Sequence, residues 1–463
     1  MATSIKQWIH MVGIAGAGMS NIATILAQKG YRVSGSDLQS NSITSKLEKL
    51  GIEIYKGHSP SNLQEGVDLL VISSAIPQEN CEVKLARERN IPILKRGQML
   101  ANIVNSCKAI AVAGAHGKTT TTSMLYTILE NCNLDPTFIL GGEMQGNNLG
   151  AKLGGGEYAI VEADESDASF LALKPYIAVV TNIEDDHLDF YKSLENLQKA
   201  FKLFVDEVKP EGFALIYGGD NTVTNIRSET RSRVITYGDT PECDYYIQNW
   251  QIKDMGSQFY VYRQGEELGL VVLPIPGKHN SLNALAALAV AYEIGLDFEA
   301  ASRALQKFKG AKRRFELIGQ VGNVKIIDDY AHHPTEIRAT IAAARDCHPE
   351  GRIITVFQPH RFSRTKMLGQ QLGEALVGVD KAIITDIYSA GEKPINGLSA
   401  EIVYEAAKKA GCNAEYLPTF VAIEDYLLNY VKNNDLVITM GAGDIWKLGV
   451  SLLEKIPYNI PQA

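Results

Sequence analysis

The stretch from residue 109 to 130 limits the fold more than any other part of the chain. An apolar run, Ala109–Ala113, meets Gly114-Ala115-His116-Gly117-Lys118-Thr119-Thr120, and a helical pattern follows from Gly117 to about Glu130. A strand that turns through glycines directly into a helix belongs to a parallel sheet covered on its faces. The turn also has a chemistry. Glycines let backbone N–H groups wrap phosphate oxygens, and the helix start adds partial positive charge. A lysine there bridges the outer phosphates, and the next hydroxyl can bind Mg²⁺. Val112 stands where the strict phosphate-loop pattern has a glycine, so this is a shortened form, G-x-x-G-K-T-T.

The same rhythm runs on both sides. Before it, strands are expected at Ile9–Ile14, Tyr31–Ser34, Ile52–Tyr55, Leu69–Ile72 and Ile91–Leu94, with a helix at Met19–Lys29. After it come strands near Tyr158–Val161 and Ile177–Thr181. From Phe213 to Leu273 short strands are split by turn residues (Gly218-Gly219-Asp220-Asn221, Gly238-Asp239), which reads as an antiparallel edge added to the second sheet. A helix, Ser281–Ile294, closes that region. A third series begins near Arg314, with strands at Lys325–Ile327, Ile353–Phe357, Ala382–Asp386 and Leu436–Met440. The fold class is therefore α/β with three consecutive domains, 1–107, 108–312 and 313–463. The first and third are Rossmann-like, and the second is P-loop ATPase-like with added antiparallel strands.

Five further constellations sit at strand ends or helix starts. Glu162-Ala163-Asp164-Glu165-Ser166-Asp167 ends the strand Tyr158–Val161, where a Mg²⁺ ligand would lie in a sheet with a phosphate loop, or where an acidic turn could simply face solvent. Asn182-Ile183-Glu184-Asp185-Asp186-His187-Leu188-Asp189 sets a histidine among carboxylates, as a metal ligand or a phosphate neighbour. Asn280 and Asn283 lie one turn apart at a helix start and suit a base edge or capping. Gly13-x-x-Gly16-x-Gly18, with Asp37 after the next strand, is close to the dinucleotide fingerprint, but Asn21 replaces its third glycine; it supports a phosphate-binding turn and leaves the ligand open. Asp328–Pro334 and Gln358–Thr365 follow two strands of the third series, so Tyr330, His332, Arg361 and Arg364 should converge on one sheet edge, where paired arginines can clamp a carboxylate or phosphate.

Composition excludes some classes. A net charge of -8 argues against a nucleic-acid protein held by bulk charge. No apolar run approaches the ~18 residues of a membrane span. The six cysteines are far apart without a CxxC, which fits a reducing cytoplasm.

Taken together the segments GIAGAGMS with SGSD, GAHGKTTTT, EADESDASF, NIEDDHLDFY, PGKHNSLNALAA, GAKRRFE, DDYAHHPTEI, FQPHRFSRT and TMGAGDIWKLG resemble the Mur ligases, ATP-dependent amide ligases of peptidoglycan precursor synthesis. They occur in the family's order and cover nearly the whole chain. Ala15 and Asn21 depart from glycines usual in the first loop. The resemblance implies ATP and Mg²⁺ as cofactors, and UDP-N-acetylmuramate and L-alanine as small-molecule partners, with cell shape, division and the cell cycle served through the wall. It gives the first domain the UDP-sugar (Gly16, Ala17, Gly18, Ser36, Asp37, Ser74). The second takes ATP, through Gly114 to Thr120 with Asn283, and is joined by Arg314 and Asp329. The third takes the amino acid (Tyr330, His332, Arg361, Arg364). Lys118, Glu162 and His187 would be catalytic, with Thr119, Glu162 and His187 on metal. A carbamylated Lys199 or Lys202 is a further option near the second metal, and a homodimer stays open. Alternatives are a sister ligase that attaches a tripeptide to the same sugar nucleotide, a nicotinamide dehydrogenase suggested by the first loop alone, and a non-catalytic nucleotide switch.

Overall fold

The computed structural model describes residues 7–146, 150–185, 187–219 and 221–456. Asp186 and Asp220, parts of two motifs above, lie outside them. The chain divides into two compact units. One holds most of the first 249 residues with Tyr260–Val271 and Leu282–Phe308. The other holds Trp250–Phe259, Val272–Ser281 and the chain from Lys309.

Within the first unit, β1 (Trp8–Val12), β2 (Arg32–Asp37), β3 (Glu53–Lys56), β4 (Leu69–Ile72) and β5 (Ile93–Lys95) make a parallel sheet in the order 3-2-1-4-5. The order reverses between β1 and β4, and ligands of such sheets bind in the crevice at that reversal. Gly13, with φ +81°, turns the chain there after β1; a Cβ on it would lie 3.1 Å from the Cβ of Ser73, just after β4. β1 carries no exposed residue, as a central strand covered by helices on both faces requires.

The second sheet comprises β6 (Lys108–Ala113), β7 (Thr137–Ile139), β8 (Ala151–Lys152), β9 (Tyr158–Glu162), β10 (Ile177–Val180), β11 (Phe213–Tyr217), β12 (Val234–Gly238), β13 (Tyr245–Lys253), β14 (Gly256–Arg263) and β15 (Glu266–Leu273). Its order is 15-14-13-12-11-10-6-9-7-8, so β6 lies between β9 and β10. The expected antiparallel edge from Phe213 needs correction. β11 pairs parallel with both β10 and β12, and helix Asn221–Glu229 supplies the crossover that parallel neighbours demand. The direction reverses only beyond β13, where two-residue turns join β13 to β14 and β14 to β15.

The second unit has β16 (Glu316–Val321), β17 (Val324–Asp329), β18 (Ile353–Phe357), β19 (Lys381–Ile384), β20 (Ala414–Tyr416) and β21 (Leu436–Met440) in the order 16-17-21-18-19-20. All are parallel except the β16–β17 pair. β18 and β21 are buried on both faces among Ile337, Leu372, Ile423 and Leu448. Among the described residues, no helix is long and apolar enough to cross a membrane.

Candidate active site

The phosphate loop leaves the C-terminal end of β6 between the ends of β9 and β10. Gly114 has φ +139°, and a Cβ on it would meet Thr181 Oγ1 at 2.1 Å. That close approach lets the segment after β10 hold the loop. The His116 N–H donates to Asn182 Oδ1 (2.9 Å), while Thr181 Oγ1 (2.5 Å) and Asn182 Nδ2 (3.1 Å) donate to the His116 carbonyl. His116 also faces Glu184, Nε2 to Oε2 3.4 Å. Gly117, φ +82°, caps helix Lys118–Asn131, whose first residues are Lys118 and Thr119. Thr120 is buried in its first turn.

Lys118 is expected to meet outer phosphates. In this structure its ammonium donates to the carbonyls of Gly114 (2.5 Å) and Ala115 (3.2 Å) and to Glu165 Oε1 (2.7 Å). Burial pulls its pKa down, but the charges of Glu165, Glu162 and Asp164 outweigh that and hold it above the usual lysine range. Burial pushes the Glu165 carboxyl up to about 7 against the pull of Lys118. Glu165 Oε2 is buried with no hydrogen-bond partner. His187, φ +59°, stands with Nε2 3.7 Å from Glu165 Oε1, and Tyr191 Oη donates to the Glu165 carbonyl at 2.6 Å.

Glu162 ends β9 and its Oε2 accepts from Thr119 Oγ1 (3.0 Å) and from the Gly141 N–H (2.9 Å). A hydroxyl and a carboxylate side by side, with the orphaned Glu165 oxygen near the same lysine, make an oxygen-rich donor set. It suits a hard cation such as Mg²⁺ through the Thr119 and Glu162 oxygens, while His187 stands by Glu165. Lys199 and Lys202 are engaged elsewhere on helix Leu194–Asp206, by Glu195 (2.7 Å) and Asp206 (2.8 Å), each one helical turn away.

The glycine loop of the first sheet is braced by β2. The Ser36 carbonyl accepts from the N–H groups of Gly13 (2.9 Å) and Ile14 (3.2 Å), and Asp37 Oδ2 accepts from the Ala15 N–H (3.0 Å). Gly16 caps helix Ala17–Gln28 without a side-chain hydrogen bond, and its first turn has no acidic residue, which leaves it open to an anion. Ser74 is exposed just beyond β4. Ser36, expected among the UDP-sugar residues, turns its side chain away from this crevice. Its side chain is fully buried and donates to Glu82 Oε2 (2.7 Å), inside a polar cluster with His10, His58 and Asn62. Asn21, in place of the third glycine, donates to the carbonyls of Leu140 (2.8 Å) and Gly142 (3.3 Å) beyond β7, and so ties the two sheets.

Between these loops lies a cavity of about 200 Å³ walled by Gly18, Arg96, Lys118, Gly141, Glu162 and Asp164, among others. Two residues of this region, Glu165 and Arg96, were not singled out as site residues from the sequence. Glu165 was hidden in an acidic run with several candidates. Arg96 carries no motif, and only its approach to Gly18 and Asp164 reveals it.

Asn283 lies in helix Lys278–Glu293, buried, and its Oδ1 would be 2.5 Å from a Cβ on Gly117. Its amide therefore packs on the phosphate loop. Asn280 donates to the Pro276 carbonyl at 2.7 Å, a tie to the segment before the helix.

In the second unit, Asp329 ends β17. It does not present a free carboxylate, as expected of a group reaching for ATP: Oδ2 accepts from the Phe315 N–H (2.7 Å) and Oδ1 from the Ala331 N–H (2.8 Å). Burial pushes its pKa up to about 6, against the pull of Arg314. Arg314 faces Glu336 (3.5 Å) and lies 5.2 Å from the Tyr330 ring centre. Tyr330, His332, His360 and Tyr388 form a ring cluster with centroids 5.4, 6.0 and 5.7 Å apart in turn. Burial, then His332, Arg364 and Arg361, push the His360 pKa down to about 3, so the ring is neutral among cations. Arg361 is exposed at φ +69°, and its backbone N–H donates to the Tyr388 carbonyl (2.8 Å). Arg364 is half-buried one turn further on. Tyr330 and His332 join His360 through their rings, and Arg361 and Arg364 act on the same His360 by charge.

Three family models match the chain in order: the Mur ligase family catalytic domain over residues 8–107, the Mur ligase middle domain over 112–291, and the Mur ligase glutamate ligase domain over 313–443. The UDP-N-acetylmuramate–L-alanine ligase of Syntrophomonas wolfei is 60% identical over 99% of both chains. Among solved structures, the UDP-N-acetylmuramate-alanine ligase of Thermotoga maritima matches with a TM-score of 0.83 at 29% identity, covering 96% of this chain and 98% of that one. A murein peptide ligase from Psychrobacter arcticus matches with a TM-score of 0.72 at 26% identity over 99% and 100%.

Proposed function

This chain belongs to the Mur ligase family, and from that premise we propose that it joins L-alanine to the lactyl carboxylate of UDP-N-acetylmuramate at the expense of ATP. The observation that carries the reading is the cavity itself. A glycine loop with an open helix start, the phosphate-loop lysine and the Thr119–Glu162 pair share its walls or adjoin it, which supports a sugar nucleotide and ATP meeting there.

A carboxylate is a poor electrophile, so the γ-phosphoryl group passes from ATP to the lactyl oxygen, giving an acyl phosphate and ADP. The neutral amine of L-alanine then attacks the acyl carbon; the amide forms, phosphate leaves and a proton is released. Two anions must meet in the first step, so positive charge must be preorganised. Lys118 supplies it once phosphates draw its ammonium from Glu165. The loop N–H groups from Gly114 to Thr120 hold the phosphates, and Asn283 buttresses the loop at Gly117. Thr119, Glu162 and His187 would hold Mg²⁺, which spreads the negative charge of the phosphates. Asp329 shapes the backbone that carries Arg314 and Tyr330. Arg361 and Arg364 bind the amino-acid carboxylate, while a neutral His360 and the cationic surroundings favour the amine over the ammonium. The domains run 1–107 for the UDP-sugar, 108–312 for ATP and 313–463 for the amino acid. The setting is the cytoplasm, and the product serves the cell wall, and through it cell shape and division.

The test is ADP release with UDP-N-acetylmuramate, with and without L-alanine. L-alanine-dependent release is expected. A tripeptide used better than L-alanine would promote the sister ligase instead, and no release with either would sink the reading.

A further inference from the structure

Arg96 is the first residue of helix Arg96–Val104, directly after β5. Its Nη2 donates to Asp164 Oδ2 at 2.6 Å, and its side chain is only 16% exposed. The other guanidinium nitrogens, Nη1 and Nε, make no hydrogen bond among the described residues. A guanidinium has five N–H donors, and those on Nη1 and Nε remain open to an incoming acceptor.

The direction of the free edge follows from Gly18. A Cβ on Gly18 would lie 3.1 Å from Arg96 Nη1 and 3.2 Å from Cδ. The missing side chain thus admits Arg96 onto the first turn of helix Ala17–Gln28. That first turn has no capping side chain and no acidic residue, and Gly18 and Ile22 of the same helix line the cavity. A helix start, an under-occupied arginine fork and a cavity of about 200 Å³ meet at one point.

We propose that Arg96 binds the diphosphate of the sugar-nucleotide acceptor, with Asp164 as the partner that holds its guanidinium in place until that diphosphate arrives. This rests on the reading of the acceptor given above. A phosphate pair matches a guanidinium fork with two parallel N–H···O bonds, and the helix start supplies the remaining donors. The close approach to Gly18, on the first turn of the glycine-loop helix, assigns Arg96 to the diphosphate.

The sign of two substitutions decides the matter. UDP binding is measured by calorimetry on the full chain, with uridine alone as a control. Arg96→Met is expected to weaken UDP about 10- to 100-fold, the range of a lost charge-assisted pair, and to leave uridine unchanged. Arg96→Lys should recover part of the loss. Asp164→Asn, which removes the competing carboxylate, should tighten UDP binding. Equal weakening in Arg96→Met and Asp164→Asn would show a structural tie and overturn the proposal. Loss of uridine binding along with UDP would show a collapsed pocket and overturn it too. Unchanged UDP binding in Arg96→Met, with a raised KM for the full acceptor, would place the arginine on the carboxylate end instead. If the wild type neither binds UDP nor releases ADP with UDP-N-acetylmuramate and L-alanine, the functional reading falls. If it does both and Arg96→Met binds UDP normally, only the arginine proposal falls.

Discussion

Replacing Lys118 with alanine should separate two jobs that one ammonium performs. In the structure it neutralises Glu165, whose side chain is 2% exposed, at 2.7 Å. In the proposed reaction it neutralises phosphate. Removing it leaves Glu165 with one oxygen already unpartnered and the His187 ring 3.7 Å away. Breaking a fully buried pair costs about 3–5 kcal/mol, but Glu165 can escape part of that by taking up a proton, so we expect about 1–3 kcal/mol of lost stability. The pH dependence has a definite sign. The Glu165 pKa is raised from 4.5 to about 7, so between those values the native state binds a proton that the unfolded state lacks, and stability falls as pH rises through the window. Without Lys118 the native pKa climbs further. The deficit of Lys118→Ala against wild type should therefore shrink as pH falls from about 8 to about 6. The double variant Lys118→Ala/Glu165→Gln removes the stranded charge and should recover most of the stability. It should stay inactive, because the phosphoryl group still lacks its cation: about 3 kcal/mol or more of barrier, over 100-fold in kcat. Urea midpoints and ADP release read the two effects separately. A double variant no more stable than the single one would refute the account of Glu165, and near-normal ADP release by either would remove the loop as the ATP site.

The same geometry supports further expectations. Arg364→Lys should raise the KM for L-alanine about 10-fold or more, by loss of bidentate geometry, with little change for ATP or UDP-N-acetylmuramate; equal changes for all three would give the arginines to domain closure. Asp329, its pKa pushed from 3.8 up to about 6, is protonated in the native state and ionised in the unfolded state across that window, so wild-type stability should fall by about 3 kcal/mol as pH rises through it. Asp329→Asn should lack this slope, and parallel pH–stability curves for the two proteins would refute it. Lys202→Ala should keep its activity and show no response to short carboxylic acids, because Lys202 is engaged by Asp206; rescue by such acids would show carbamylation after all.

Much of the site was legible where chemistry and local structure share a few consecutive residues. Gly114 to Thr119 is such a case: the left-handed Gly117, the lysine and the hydroxyl are adjacent in sequence, and the strand before them fixes where they point. Glu162 was legible for the same reason, as the last residue of a strand. The features that escaped depend on contacts between distant segments. Ser36 lies one residue from the end of β2, yet strand alternation and Glu82, 46 residues away, turn its hydroxyl inward. Arg96 meets Asp164 across 68 residues. The helix Asn221–Glu229 was missed because Gly218-Gly219-Asp220-Asn221 reads as a turn. A turn that opens a helix and one that reverses a strand share these residue types and diverge only in the periodicity of the segment beyond them.

The departures from the family's first loop make sense as part of one mechanical arrangement. Asn21 fills the place of a glycine and grips two carbonyls beyond β7. Arg96 grips Asp164 just past β9. A Cβ on Gly97 would lie 2.3 Å from the Cβ of Ser169, so helix Arg96–Val104 sits directly on the segment that comes after the acidic run. At the far end of that helix Asn105 donates to the Ala172 carbonyl and accepts from the Lys174 N–H. These ties reach the second sheet from both helices that line the cavity. They hold the glycine loop at a set distance from Lys118 before any ligand binds. Phosphoryl transfer between two bound anions gains most from this, since the entropy of bringing them together is met in folding and not at the transition state. The same ties lie within one compact unit, which holds the first sheet and strands β6 to β12 of the second. The amino acid is under a looser constraint, because its amine has to arrive only after the acyl phosphate has formed. The amino-acid pocket proposed above, with Tyr330, His332, Arg361 and Arg364, lies on residues of the other unit.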